Sequence, residues 1–144
     1  MHLILSQHTD PFFNLALERY LLEQRPEDYL LLYVNNPSVI VGRNQSIAAE
    51  VDTHYCRGRG IPVIRRVSGG GTVYHDNGNV NYSFVSPSGI SRMLDSDLPG
   101  PVLEALASFG VDAETGPRRE ITVGGRKISG TASFAARGRQ LFHG

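Results

Sequence analysis

Two short stretches concentrate the residues of this chain that could do chemistry. The first, Arg65-Arg66-Val67-Ser68-Gly69-Gly70-Gly71-Thr72-Val73-Tyr74-His75-Asp76, sets two arginines before three successive glycines and a histidine–aspartate pair after them. Three glycines leave backbone N–H groups uncovered and permit φ > 0, so such a loop can wrap a phosphate or approach a ligand closely. An arginine beside that cradle of donors is a grip for a triphosphate or for pyrophosphate. The second stretch, Gly124-Gly125-Arg126-Lys127-Ile128-Ser129-Gly130, carries Lys127, the sole lysine among fourteen basic residues. Biased codon usage explains the excess of arginine. It does not explain a position that stays lysine, the compact and mobile point charge of the two. Such an ammonium can bridge a phosphate oxygen and a carboxyl oxygen attacking it. Each stretch alone has a plainer reading, a tight turn for the glycines and a solvated edge charge for the lysine. Together they favour chemistry.

The commonest alternatives fail on spacing. No Gly-Lys-Ser/Thr closes the glycine run, so it is not a P-loop, and Tyr74 occupies the third glycine of a dinucleotide fingerprint. A nucleophile elbow needs glycine two residues before its serine, where Ser68 has Arg66 and Ser129 has Lys127. As a zinc pair His75 and Asp76 have only His143 as an obvious third ligand, so no metal site is expected.

The elements that must position these residues follow from local signals. Leu3-Ile4-Leu5 reads as a short strand, and Asp10-Pro11 as a helix start leading into residues 11–24. Phe12, Leu15, Ala16, Tyr20 and Leu22 supply that helix with an apolar stripe. Residues 30–34 and 38–42 read as buried strands of one hairpin around an Asn35-Asn36-Pro37 turn. A short helix over 52–58 capped by Asp52, and a strand over 62–66, lead into the glycine run. Strand alternation puts Arg65 and Arg66 on opposite faces, one to reach a site and one to brace. Strands over 72–76 and 79–86 join at Asn77-Gly78, and residues 87–98 read as a polar loop. A helix over 101–109 then ends at Gly110, and strands over 121–123, 127–135 and 140–142 follow. This pattern predicts an α+β domain, a mostly antiparallel or mixed sheet with flanking helices.

Composition sets outer limits. The 144 residues suit one domain, and fourteen basic against fourteen acidic residues offer no global field for nucleic acid or an anionic membrane. The single cysteine, Cys56, rules out an internal disulfide framework. With no signal-peptide pattern at the N-terminus and no apolar run of the ~18 residues needed to span a bilayer, a cytoplasmic location is expected.

Read as ordered blocks, the two stretches resemble the signatures of lipoate–protein ligase A. Asp10-Pro11-x-Phe13-Asn14-Leu15-Ala16, residues 39–45 and Gly78-Asn79-Val80-Asn81-Tyr82-Ser83-Phe84 extend the likeness over essentially the whole chain. The resemblance implies a biotin/lipoate-ligase catalytic fold, related to class II aminoacyl-tRNA synthetases, with residues 1–144 as its N-terminal portion. Family members continue into further elements and an accessory domain. It implies that lipoate and ATP, with Mg²⁺, give lipoyl-adenylate, and that the acyl group passes to a lysine of a carrier domain. That carrier would belong to a 2-oxoacid dehydrogenase or be the glycine-cleavage H protein. By position, Arg66, Gly71, Thr72, Val73 and Tyr74 would hold ATP. Ser68, Gly69, Gly70, His75 and Asn79 would line the lipoate path, and Lys127 would touch both substrates as the catalytic residue. Arg118-Arg119-Glu120 stands where the family shows Arg-Asn-Asp. The alternatives are an octanoyl or lipoyl transferase working through Cys56, a biotin ligase, and a non-catalytic lipoate-binding module completed by a second chain.

Overall fold

The computed structural model describes residues 1–87 and 99–144. Along the chain run β1 (His2–Leu5), α1 (Pro11–Gln24), β2 (Tyr29–Val34), β3 (Ser38–Val41), α2 (Ile47–Glu50), α3 (Thr53–Gly58), β4 (Val63–Arg65) and β5 (Val73–His75). There follow β6 (Val80–Pro87), α4 (Pro99–Ser108), β7 (Glu114–Thr115), β8 (Ile121–Val123), β9 (Arg126–Ser129), β10 (Ala132–Ala136) and β11 (Arg139–His143). The α+β expectation holds. The main sheet has the order β1-β2-β6-β11-β10, a second is β4-β3-β5, and a third is β7-β8-β9. Only the β1–β2 and β3–β4 pairings are parallel among the described residues.

The helix start works as read: Pro11 occupies the first turn and the Asp10 carboxylate accepts from Phe12 N at 2.8 Å. The buried face of α1 is not the expected stripe. Pro11, Asn14, Glu18, Leu21 and Leu22 face the protein, while Phe12 and Tyr20 are 57% and 50% exposed. Helical periodicity is intact but rotated, because buried partners satisfy the polar residues on that face. Leu21 and Leu22 cover Tyr29, Leu31, Tyr33, Val85 and Leu141 on one face of the main sheet. On the other face Tyr82, Phe84 and Phe142 pack with Leu30, Leu32 and Val102 of α4.

Two strand readings need correction. Residues 30–34 and 38–42 do not form a hairpin: β2 pairs with β1 and β6, and β3 pairs with β4 and β5. The turn between them is held by other elements. Asn14 Nδ2 donates to Asn35 Oδ1 at 2.9 Å, and Asn36 N donates to the Thr9 carbonyl at 2.8 Å. Those bonds draw the chain out of the main sheet. The strand expected over 127–135 breaks at Gly130-Thr131, where Thr131 Oγ1 donates to the Arg119 carbonyl at 3.0 Å, so β9 and β10 lie in different sheets. The Asn77-Gly78 turn forms as read but joins strands of different sheets. Of the loop read over 87–98, residues 88–98 lie outside the described residues, and the next helix starts at Pro99.

Leu31 is fully buried between α1 and the sheet centre. Its substitution by alanine should cost about 2–5 kcal/mol, as loss of a large core side chain does. Urea unfolding would show this as a lower midpoint at unchanged slope.

Candidate functional site

The glycine run links β4 to β5, and its shape is held from beneath by arginine. Arg66 Nη2 donates to the carbonyls of Gly69 and Gly71 at 2.7 and 2.8 Å, and Nη1 donates to that of Ile40 at 3.2 Å. Its Nε donates to Ser68 Oγ at 3.0 Å. Arg65 braces the neighbouring loop instead, its Nη1 donating to the Gly42, Arg43 and Gln45 carbonyls. The alternation was read with one arginine reaching and one bracing. In the fold both brace, and Arg66 also forms part of a cavity wall. With carbonyls turned toward the guanidinium and Gly70 at φ +93°, the run keeps a conformation that L side chains rarely adopt.

Above the run lies a cavity of about 730 Å³. Gly70, Gly71, Thr72, Val73, Tyr74, His75 and Asn79 line one side, and Lys127, Ile128, Ser129 and Gly130 line it from β9 and the turn after it. Residues some fifty positions apart are thus brought to one space by two different sheets. Ser68 and Gly69 do not line it: Ser68 is fully buried, and its hydroxyl lies between Arg66 and His143. On β9 a register shift pairs Ile121 with Ser129 but Thr122 with Lys127, leaving Ile128 as the extra residue of a bulge. Among the described residues no hydrogen bond or ion pair holds the Lys127 ammonium. It lies over Gly130, where an added Cβ would stand 3.1 Å from Nζ.

The floor of the cavity is a buried polar cluster that the sequence reading missed. Glu18 accepts from Ser83 Oγ at 2.5 Å and lies 2.8 Å from His143 Nδ1. Burial pushes its carboxyl upward, but the charge His143 can carry and hydrogen bonds from His143, Ser83 and Tyr33 outweigh this and hold it below the ordinary 4.5. Burial raises the Tyr33 phenol well above its usual value, and the Glu18 carboxylate adds to the effect. His75 is pushed down to about 4, by burial first and then by the charges of Arg66 and His143. Its imidazole is therefore neutral near pH 7. Asn35 Nδ2 lies 3.1 Å from its Nδ1, which places the hydrogen on Nε2. The sequence carried one usable signal: Asn14 and Glu18 are four apart, in helical phase with Leu21 and Leu22.

Other candidates separate from the cavity. Cys56 is buried and opens on a different hollow of about 400 Å³ across β5. Of Arg118-Arg119-Glu120, the outer two line the cavity, while Arg119 is an exposed turn residue at φ +62°. No group of three His, Cys, Asp or Glu that could hold a metal occurs among the described residues, and no helix there is long and apolar enough to cross a membrane.

The fold sets the glycine run and Lys127 on opposite walls of one cavity. A family model described as the lipoyl protein ligase A/B catalytic domain matches residues 10–144. The chain belongs to that family. It is 49% identical over 138 residues to the lipoate-protein ligase LplJ of Bacillus subtilis, covering 94% of this chain but 42% of that protein. The chain thus spans less than half of that relative's length. A crystal structure of lipoate-protein ligase A bound with ATP superposes with a TM-score of 0.88 at 30% identity, over 99% of this chain and 64% of the other. The bipartite lipoate protein ligase of Thermoplasma acidophilum, studied with its E2 lipoyl domain, gives 0.88 at 30% identity, over 99% and 59%.

Two outcomes follow from the geometry. A Cβ at Gly42 would stand 2.0 Å from the Gly70 carbonyl oxygen, a backbone atom, so Gly42→Ala should distort the run and cost about 1–3 kcal/mol. Gly58→Ala meets nothing within 4 Å and serves as the near-neutral control in the same denaturation series. Glu18, held below its unfolded value, contributes stability that is complete above about pH 4.5 and is lost as pH falls through the folded value. Melting temperatures taken from pH 7 to 3 should fall more steeply on the acid side for the parent than for Glu18→Gln.

Proposed function

We propose that this domain activates lipoate with ATP and transfers the lipoyl group to a lysine of a lipoyl-carrier domain. One observation supports this reading above the others: Arg66, Gly70 to His75, Asn79 and Lys127, distant in sequence and lying on two sheets, share the walls of one cavity. In the first step a lipoate carboxylate oxygen attacks the α-phosphorus of ATP, a P–O bond breaks, and pyrophosphate leaves with the bonding pair. In the second, the carrier amine attacks the acyl carbon, AMP leaves, and the amine gives up a proton as the amide forms. Neither step needs a covalent protein nucleophile, and both need charge neutralisation and alignment.

Lys127 suits the attack because it lines the cavity and no group among the described residues pairs with its ammonium. The uncovered amides of Gly70 to Thr72 suit the phosphates, and the neutral Nε2–H of His75 donates to an anionic ligand without adding charge. Ser68 and Gly69 act from below, as parts of the brace. Mg²⁺ would arrive with the triphosphate, whose oxygens supply much of its coordination. The bipartite archaeal relative supports a lipoyl domain as the acceptor and a second chain as a completing partner. The 2-oxoacid dehydrogenases and the glycine-cleavage H protein are the carriers of that chemistry. A Cys56-dependent transfer is disfavoured, since that thiol opens on the other hollow.

Incubation with lipoate and α-labelled ATP should yield lipoyl-adenylate, with formation reduced about 10²–10³-fold in Lys127→Ala, the range for losing one electrostatic stabiliser. Cys56→Ser should keep the parent rate. Adenylate made equally well without Lys127 would remove the proposed role. Lipoate bound with no adenylate would point to a binding module.

A further inference from the structure

The polar groups under the glycine run form a connected relay. Glu18 Oε1 lies 2.8 Å from His143 Nδ1, His143 Nε2 lies 2.6 Å from Ser68 Oγ, and Arg66 Nε donates to that same oxygen at 3.0 Å. An ionised carboxylate only accepts, so His143 Nδ1 carries a hydrogen toward Glu18, and Nε2 and the Ser68 hydroxyl share the next hydrogen bond. The hydrogen bonds run unbroken from Arg66 through Ser68 and His143 to Glu18. At the other end of the relay, Arg66 Nη2 holds the Gly69 and Gly71 carbonyls.

A serine, a histidine and an acid at these distances match the arrangement of a nucleophilic triad. The chemistry does not follow. Ser68 is fully buried, its oxygen accepts from Arg66, and it does not line the cavity above the run. A nucleophile must meet its substrate, and this oxygen meets only its braces.

We propose that Glu18 and His143 are positioning residues, which fix the glycine run through Ser68 and Arg66. Glu18 stands on α1, which packs on the main sheet, and His143 on β11 within that sheet, whereas the run links two strands of the second sheet. The run has no side chains of its own to anchor it, so its carbonyls must be held if its amides are to keep one direction. Burying a carboxylate is costly unless it is fully hydrogen-bonded. Ser83 and Tyr33 complete that bonding and lock the relay's acidic end to the sheet.

The test uses Glu18→Gln, His143→Asn, His143→Gln and Ser68→Ala, with Ser68→Ala combined with His143→Asn. Amide hydrogen exchange is followed in the unliganded protein at Arg43, whose N–H donates to the Ser68 carbonyl at 2.9 Å and so reports on the run. Glu18→Gln, His143→Asn and Ser68→Ala should each speed exchange of the Arg43 amide about tenfold, as expected when one buried hydrogen bond behind the run is lost. The double variant should be no faster than the singles, because both changes cut one relay. His143→Gln, whose amide reaches the Nε2 position, keeps the Ser68 contact but loses the one to Glu18, so its exchange should match that of Glu18→Gln. Adenylate kinetics, which rest on the proposed function, should show Ser68→Ala raising KM for ATP and lowering kcat while lipoate affinity is unchanged. Additive effects in the double variant, or parent-like exchange in Ser68→Ala, would overturn the relay. Ser68→Ala removes a single oxygen and carries the test should the charge variants fail to fold. A parent that makes no adenylate counts against the adenylation reading alone, since exchange is measured without substrates.

Discussion

The Arg66 guanidinium is the constraint on which the rest of the site depends. A run of three glycines has little preference for any one conformation, and fixing it is entropically costly. Arg66 offsets that by donating to the carbonyls on either side of Gly70 and to Ile40 of β3. A planar, permanently charged fork can hold several carbonyls at fixed angles, which a lysine could not. The same residue type that would grip a phosphate directly is used here chiefly to aim the backbone amides that would do so.

That brace has a charge to balance. Arg66 is 9% exposed, and a buried cation without an anion nearby would be unfavourable. Glu18 meets the need from across the helix–sheet interface, through Ser68 and His143. This explains why α1 turns a glutamate and an asparagine inward and leaves Phe12 and Tyr20 toward solvent. The helix is placed by a polar register as much as by its leucines. Asn14 and Asn35 extend the same logic to the turn leaving β2, and Asn35 in turn orients His75 at the cavity.

The two halves of the cavity have opposite mechanical character. The glycine-run side is braced at carbonyl after carbonyl. The Lys127 side is a short bulged strand of a three-stranded sheet, with an ammonium held by no partner among the described residues. Arg119 fits this division as well. It sits in the turn between Arg118 and Glu120, which line the cavity, and is not itself part of the lining. Its difference from the family's asparagine therefore bears on turn strain more than on the walls.

Local signals in the sequence determined much of this protein. The Asp10-Pro11 start, the Gly110 stop, the Asn77-Gly78 turn and most strand positions are written in residues within a few places of each other, where short-range sterics and capping decide. The glycine run and the lone lysine were legible as candidate site residues, because residue type and order carry that information, and the fold brings both to one cavity. Which strands pair was not legible. Residues 30–34 and 38–42 look like a hairpin, and only contacts from Asn14 and Thr9, remote in sequence, send them to separate sheets. The single strand read over 127–135 is divided for the same kind of reason. Glu18 and His143 are 125 residues apart, and no local pattern could join them. Tertiary structure decided that pairing, because the burial that makes a carboxylate and an imidazole seek each other exists only once the helix lies on the sheet.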